Sequence, residues 1–209
     1  MAITISGTTG VAGVDGSASA PSVVGTDSNS GVYFGADVIK FSTGGTERMS
    51  ITNSGVAGAG LFTSYAVITN ELSAGTQGGS AVANTWTTRP LNTELADPDG
   101  IVSISSNKFT LAAGSYLINW RTAFQNPEYV ITRLYDVTNS AIKQYSMCSY
   151  GIYTTTFPFG SARVTPSGST EYRIEYYCDG AQATSGLGPD APDDVAVTIN
   201  AVVEIYKEA

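Results

Sequence analysis

The sequence predicts an all-β protein in two parts: a short glycine-rich N-terminal segment of extended and β structure, then an antiparallel jelly-roll sandwich. Charged residues make up only 13% of the 209-residue chain, about half the usual share. Gly, Ser, Thr and Asn fill the deficit, and such residues suit short strands joined by turns. No long stretch repeats its apolar residues with a helical period, whereas runs beyond Leu61 alternate with a period of two.

Residues 1–60 form the first part. Met1 to Gly31 contains no aromatic residue, no Lys and no Arg, and its only charges are Asp15 and Asp27. Hairpin chemistry appears at 37–51. Ile39 and Phe41 share one strand face, Met49 and Ile51 share another, and Gly44-Gly45 supplies the positive φ of a tight turn. A lone hairpin buries too little apolar surface to offset the entropy of ordering it. Pairing with copies of itself around a symmetry axis is the remedy the sequence suggests.

Residues 61–209 form the second part. Strands are expected at 64–72, 101–111, 116–125, 128–137, 141–148, 159–165, 170–178 and 195–207. Short strands at this spacing, bounded by Gly, Pro, Asn and Asp, define a sandwich or jelly roll. Tyr116, Ile118, Trp120 and Phe124 should face the core, with Asn119, Arg121 and Gln125 opposite. In the last strand Val195, Val197, Ile199, Ala201, Val203 and Ile205 are expected on one face. The opposite face, with Ala196, Thr198, Asn200, Val202 and Tyr206, is only mildly polar. A strand apolar on both sides packs its second face against a neighbouring subunit.

Charge narrows the partners. The net charge is −8, and ten Lys plus Arg form no basic stripe, which disfavours nucleic acid and anionic membrane surfaces. The start of the chain lacks a basic region followed by an apolar run, so it is not read as a signal peptide, and folding in a cytosol is expected. Cys148 and Cys178 fit no zinc or redox spacing. Cys178 continues the alternation of Tyr172, Ile174 and Tyr176, so it reads as a buried thiol in preference to half of a disulfide.

No histidine is present, which removes Ser-His-Asp and Cys-His nucleophilic sites and His-containing metal sites. Paired carboxylates remain available in principle, but no cleft is suggested and no enzyme is expected. Asp97-Pro98-Asp99-Gly100, and Asp190 with Asp193 and Asp194, offer oxygen ligands to a hard cation. The first is also a good turn sequence, and the turn reading is preferred, so neither metal nor cofactor is expected.

Gly25-Thr26-Asp27-Ser28-Asn29-Ser30-Gly31-Val32-Tyr33, Ser42-Thr43-Gly44-Gly45-Thr46-Glu47-Arg48 and Asn53-Ser54-Gly55-Val56 resemble the short repeat of bacteriophage tail-fibre proteins. The opening Ala2-Ile3-Thr4-Ile5-Ser6-Gly7-Thr8-Thr9-Gly10 is similar to the start of such fibres, especially in phages of aquatic bacteria. Asp97-Pro98-Asp99-Gly100-Ile101-Val102-Ser103 and Phe159-Gly160-Ser161-Ala162-Arg163-Val164 resemble their terminal domain, which looks like a trimeric jelly roll of the C1q and tumour-necrosis-factor type. Typical tail fibres carry many shaft repeats, and this chain carries about one.

The resemblance implies a homotrimeric virion fibre. Its N-terminal segment would attach to other virion proteins and its head would adhere to a host-surface glycan or protein. A capsid decoration or head fibre is the alternative. A cellular C1q-like lectin is disfavoured by the phage-like first half.

Strand parity locates the adhesive end. Antiparallel strands alternate direction, so successive connections alternate between the two ends of the sandwich. With the C-terminus at the base, connections 125–128, 149–158 and 179–194 share the tip, while 138–140 and 166–169 lie at the base. Tyr150 and Tyr153 sit among Ser, Gly and Thr, a composition suited to recognition. Alternatively the same rings close the sandwich or a subunit contact. Gln125, Asn126, Tyr150, Tyr153 and Gln182 are the candidate receptor-binding residues.

Overall fold

A computed structural model describes residues 4–6, 10–58, 61–192 and 195–208. Part of the opening motif at 2–10, and the candidate ligands Asp193 and Asp194, lie outside the described residues. The described elements are strands and turns, with no helix among them. The chain divides into two compact units, Met1–Leu61 and Phe62–Ala209.

The N-terminal unit is built on one antiparallel sheet of five strands, β1 (Val23–Val24), β2 (Gly31–Gly35), β3 (Val38–Thr43), β4 (Thr46–Thr52) and β5 (Gly55–Ala57), paired in sequence order. The β3–β4 turn uses Gly44 and Gly45 at φ +58° and +75°, as the sequence requires. Register places Phe41 opposite Met49 and Ile39 opposite Ile51, so all four side chains share one face of the sheet. On the other face, Tyr33 Oη donates to Glu47 Oε2 (2.8 Å) and Lys40 Nζ donates to the same oxygen (3.0 Å).

The second unit contains ten principal strands. They are β6 (Phe62–Ser73), β7 (Thr93–Ala96), β8 (Val102–Ser105), β9 (Lys108–Leu111) and β10 (Tyr116–Thr122), then β11 (Glu128–Asp136), β12 (Ala141–Tyr145), β13 (Phe159–Val164), β14 (Thr170–Cys178) and β15 (Val197–Glu208). One sheet runs β7-β6-β15-β10-β13 and the other β8-β9-β14-β11-β12. The pairs β6/β15, β9/β14, β10/β13 and β11/β12 nest one inside the next and alternate between the sheets. That winding is the jelly roll.

The core lies between the sheets, where Ile68, Phe109, Ile118, Trp120, Leu134, Tyr172 and Val203 are essentially inaccessible. Trp120 spans it: its Nε1 on β10 donates to Thr132 Oγ1 on β11, 2.8 Å away. The expected inward face of β10 is therefore observed, with Tyr116, Ile118 and Trp120 all buried and Phe124 beyond the strand end buried as well.

Two expectations need correction. The stretch 101–111 is a hairpin rather than one strand. Ser106 and Asn107 both take left-handed φ (53° and 63°), the two-residue turn that matches strand twist. In β15 the alternation breaks. Asn70 opposes Ala201 but Glu71 opposes Ile199, so Asn200 is an extra, bulged residue. Ala201, Val203 and Ile205 consequently point inward, while Val195, Val197 and Ile199 are exposed.

Candidate functional site

The connections grouped at the tip by parity do meet. Asn126 N–H donates to Thr154 O (2.9 Å), Gln125 N–H to Gly186 O (3.2 Å) and Gly180 N–H to Pro127 O (2.8 Å). Phe124–Gln125 pairs with Thr155–Thr156, and Ser149–Gly151 pairs with the start of β11. At the opposite end, Thr138 Oγ1 accepts the Glu171 N–H (2.9 Å) and Gly114 N–H reaches Pro166 O (3.0 Å).

Tyr153 is the most prominent side chain of the tip, 94% exposed. Its backbone is left-handed (φ 56°), a conformation that costs a bulky residue about 1–2 kcal/mol. The turn is held by Asn126, itself left-handed (φ 52°), whose Oδ1 accepts the Tyr153 N–H at 2.9 Å. Asn suits such a position because its short amide satisfies local backbone groups.

The other candidates divide between surface and scaffold. Tyr150 is 55% exposed, and its ring packs at a tilt on Tyr129, with centroids 4.7 Å apart. Gln125 is half-buried and committed to the strand pair with Thr155. Gln182 forms an isolated bridge with Ala81, and its Nε2 donates to Ser185 Oγ at 3.5 Å. Asn126 and Gln182 therefore shape the loops, while Tyr150 and Tyr153 present surface.

A second small core underlies the tip, made of Ala81, Phe124, Val130, Tyr176, Cys178 and Leu187. Cys178 is buried and Cys148 exposed, both as free thiols. Burial pushes the Cys178 thiol up to about 11. Residues 78–81 lie along the distal connection through backbone bonds such as Gly79 N–H to Thr184 O (2.8 Å) and Leu187 N–H to Gly79 O (2.9 Å).

Arg89 locks this assembly. It is fully buried, and its Nη2 donates to Leu187 O (2.5 Å) and to Asn200 O (2.8 Å), the carbonyl on the bulge of β15. Its guanidinium lies 5.2 Å from the Phe124 ring centroid. Burial pushes the group down to about 9. Arg89 is the single charge between Glu71 and Glu94, but it belongs to no motif or alternating run that would mark it.

Trp86 likewise stands in no alternating run. Arg133 sits 3.9 Å from its ring centroid, with Tyr145 and Tyr177 at 5.9 and 5.7 Å. This aromatic cluster lies on the outer face of the second sheet.

The acidic turn behaves as a turn. Asp97 accepts the Ile101 and Val102 N–H groups (2.9 Å each), and Ser64 Oγ donates to Asp99 Oδ2 (2.5 Å). Asp190 is exposed. No cluster of three or more metal-ligating side chains occurs among the described residues.

Fold and tip together define the class: a jelly-roll domain that displays aromatic side chains from braced loops. No family model and no curated relative matches the sequence. Among solved structures the chain is similar to the globular domain of zebrafish complement 1qA protein (TM-score 0.46, 16% identity, 68% of this chain and 95% of that one). It is also similar to murine APRIL (0.47, 7%, 68% and 98%) and to an Eiger TNF from S. frugiperda (0.46, 10%, 69% and 92%).

Proposed function

We propose that the chain is the subunit of a bacteriophage virion fibre: a non-enzymatic homotrimer attached through its N-terminal unit, whose jelly-roll head adheres to a host-surface glycan or protein. The phage-fibre part of this reading rests on the repeat-like motifs of the first unit. Trimerisation is supported by the outer face of the first sheet. There exposed Ile199 and Phe157 border a groove of about 210 Å³ with Arg121, Phe159, Val202 and Glu204. Apolar side chains on an outer sheet face suit a subunit contact.

The observation that carries the adhesive role is Tyr153. A bulky aromatic is held almost wholly in solvent, in a strained conformation, by a dedicated Asn126 clamp. Strain retained at an exposed position is a mark of a functional site, and a rigid aromatic anchor is what a recognition surface needs.

The test is binding of fluorescently labelled full-length protein to host cells, with Tyr153→Gly as the variant. Glycine relieves the left-handed strain, so the melting temperature should not fall, while adhesion drops by about tenfold or more. A lower melting temperature with unchanged adhesion would show the ring to be structural and overturn the reading.

A further inference from the structure

One face of the N-terminal sheet carries a row of exposed apolar side chains. Register aligns Phe34, Ile39, Ile51 and Val56 in a single row across β2, β3, β4 and β5. Their exposures are 40%, 41%, 40% and 65%. A parallel row, Val23, Val32, Phe41 and Met49, crosses β1 to β4 two residues away and therefore on the same face. Within the unit, the buried side chains among the described residues are Pro21, Tyr33, Ser42 and Ser50. Apart from Pro21, none of its described aliphatic side chains is buried: Val23, Ile39, Ile51 and Val56 are exposed, and Val32 and Met49 are half-buried. Both hydrophobic core clusters belong to the other unit. A sheet in this condition lacks the packed face that stabilises β structure in water.

We infer that this apolar face packs against the same face of two further copies of the chain, so that three sheets enclose a shared core. The inference rests on the homotrimeric reading above and assigns that assembly a second contact. Area favours three copies over two. Five strands about 4.8 Å apart and about five residues long present on the order of 400 Å² per face. Three faces then remove on the order of 1,200 Å² from water, where stable interfaces begin, and two fall short. Charge agrees, since the Lys40–Glu47 pair lies on the opposite face with Tyr33. Only residues 58–61 separate β5 from β6. A head that trimerises thus holds three such sheets at millimolar effective concentration.

The test uses the full-length chain in a Cys148→Ser background. Ile39→Cys should form an oxidant-induced link between two chains at nanomolar protein, where random collision is negligible. In parallel, trypsin should cut at Lys40 and Arg48 at least about tenfold faster in Ile39→Asp/Ile51→Asp than in the parent. Light scattering is read on every sample. A trimer with neither the link nor the change in cleavage overturns the inference and leaves the fibre reading standing, with the face free for a different virion protein. A parent monomer overturns both.

Discussion

Gly160 lies opposite Trp120 in the β10–β13 register, and the indole occupies the space where a β-carbon would stand. The ring is held in place by its bond to Thr132 and cannot yield without breaking a buried hydrogen bond. Gly160→Ala should therefore lower stability by about 1–3 kcal/mol in chemical denaturation, as overpacking does. A neutral result would mean that the two sheets separate more easily than this core implies. Cys178 sets a pH dependence. Its thiol value rises from 9.0 unfolded to about 11 folded, chiefly through burial. Between those values the folded state keeps a proton that the unfolded chain releases, so stability falls as pH rises through that window. Burial, then the charge of Asp136, pushes Tyr172 from 10.0 up to about 12 and extends the loss. The melting temperature should decline from pH 9 to 12, and Cys178→Ala should remove the lower part of the decline. A parent curve flat to pH 11 contradicts the assignment.

Among the elements, the irregular segment from β6 to β7 depends most on a single side chain. Arg89 ties it to Leu187 of the distal connection and to the Asn200 bulge. Arg89→Met keeps the volume and removes the donors, leaving the Leu187 carbonyl without the Arg89 N–H while the Asn200 carbonyl keeps the Ala123 N–H (2.8 Å). It should cost about 1–3 kcal/mol and loosen the tip, seen as faster amide exchange at Gly186 and Leu187. Unchanged exchange there would show that the loop does not rely on Arg89. The strands themselves were legible where alternation ran unbroken: Thr170–Cys178 has the bounds its pattern gives. Alternation could not reveal the bulge, because Val195 to Ile205 reads as one apolar face until an extra residue resets it. The Ser106-Asn107 turn was hidden for a similar reason. Neither residue is the glycine that marks left-handed turns, so two short strands read as one.

At the scale of the whole molecule, the contrast between a core-poor first part and a sandwich-forming second part was visible in composition alone. Strand parity alone puts Gln125, Asn126, Tyr150, Tyr153 and Gln182 on tip connections. It could not sort them, because exposure depends on partners such as Tyr129 and Ala81 that arrive from distant segments. Nor could it show the exposed row Phe34, Ile39, Ile51 and Val56, which exists only once register is fixed. On the proposed reading both apolar surfaces, one in each unit, pack against further copies of the chain, and the fibre reading depends on that assembly. Light scattering of the full-length protein at micromolar concentration measures it directly. The expected mass is three times the chain mass of 21.7 kDa, and a stable folded species at the mass of one chain would rule out the trimer.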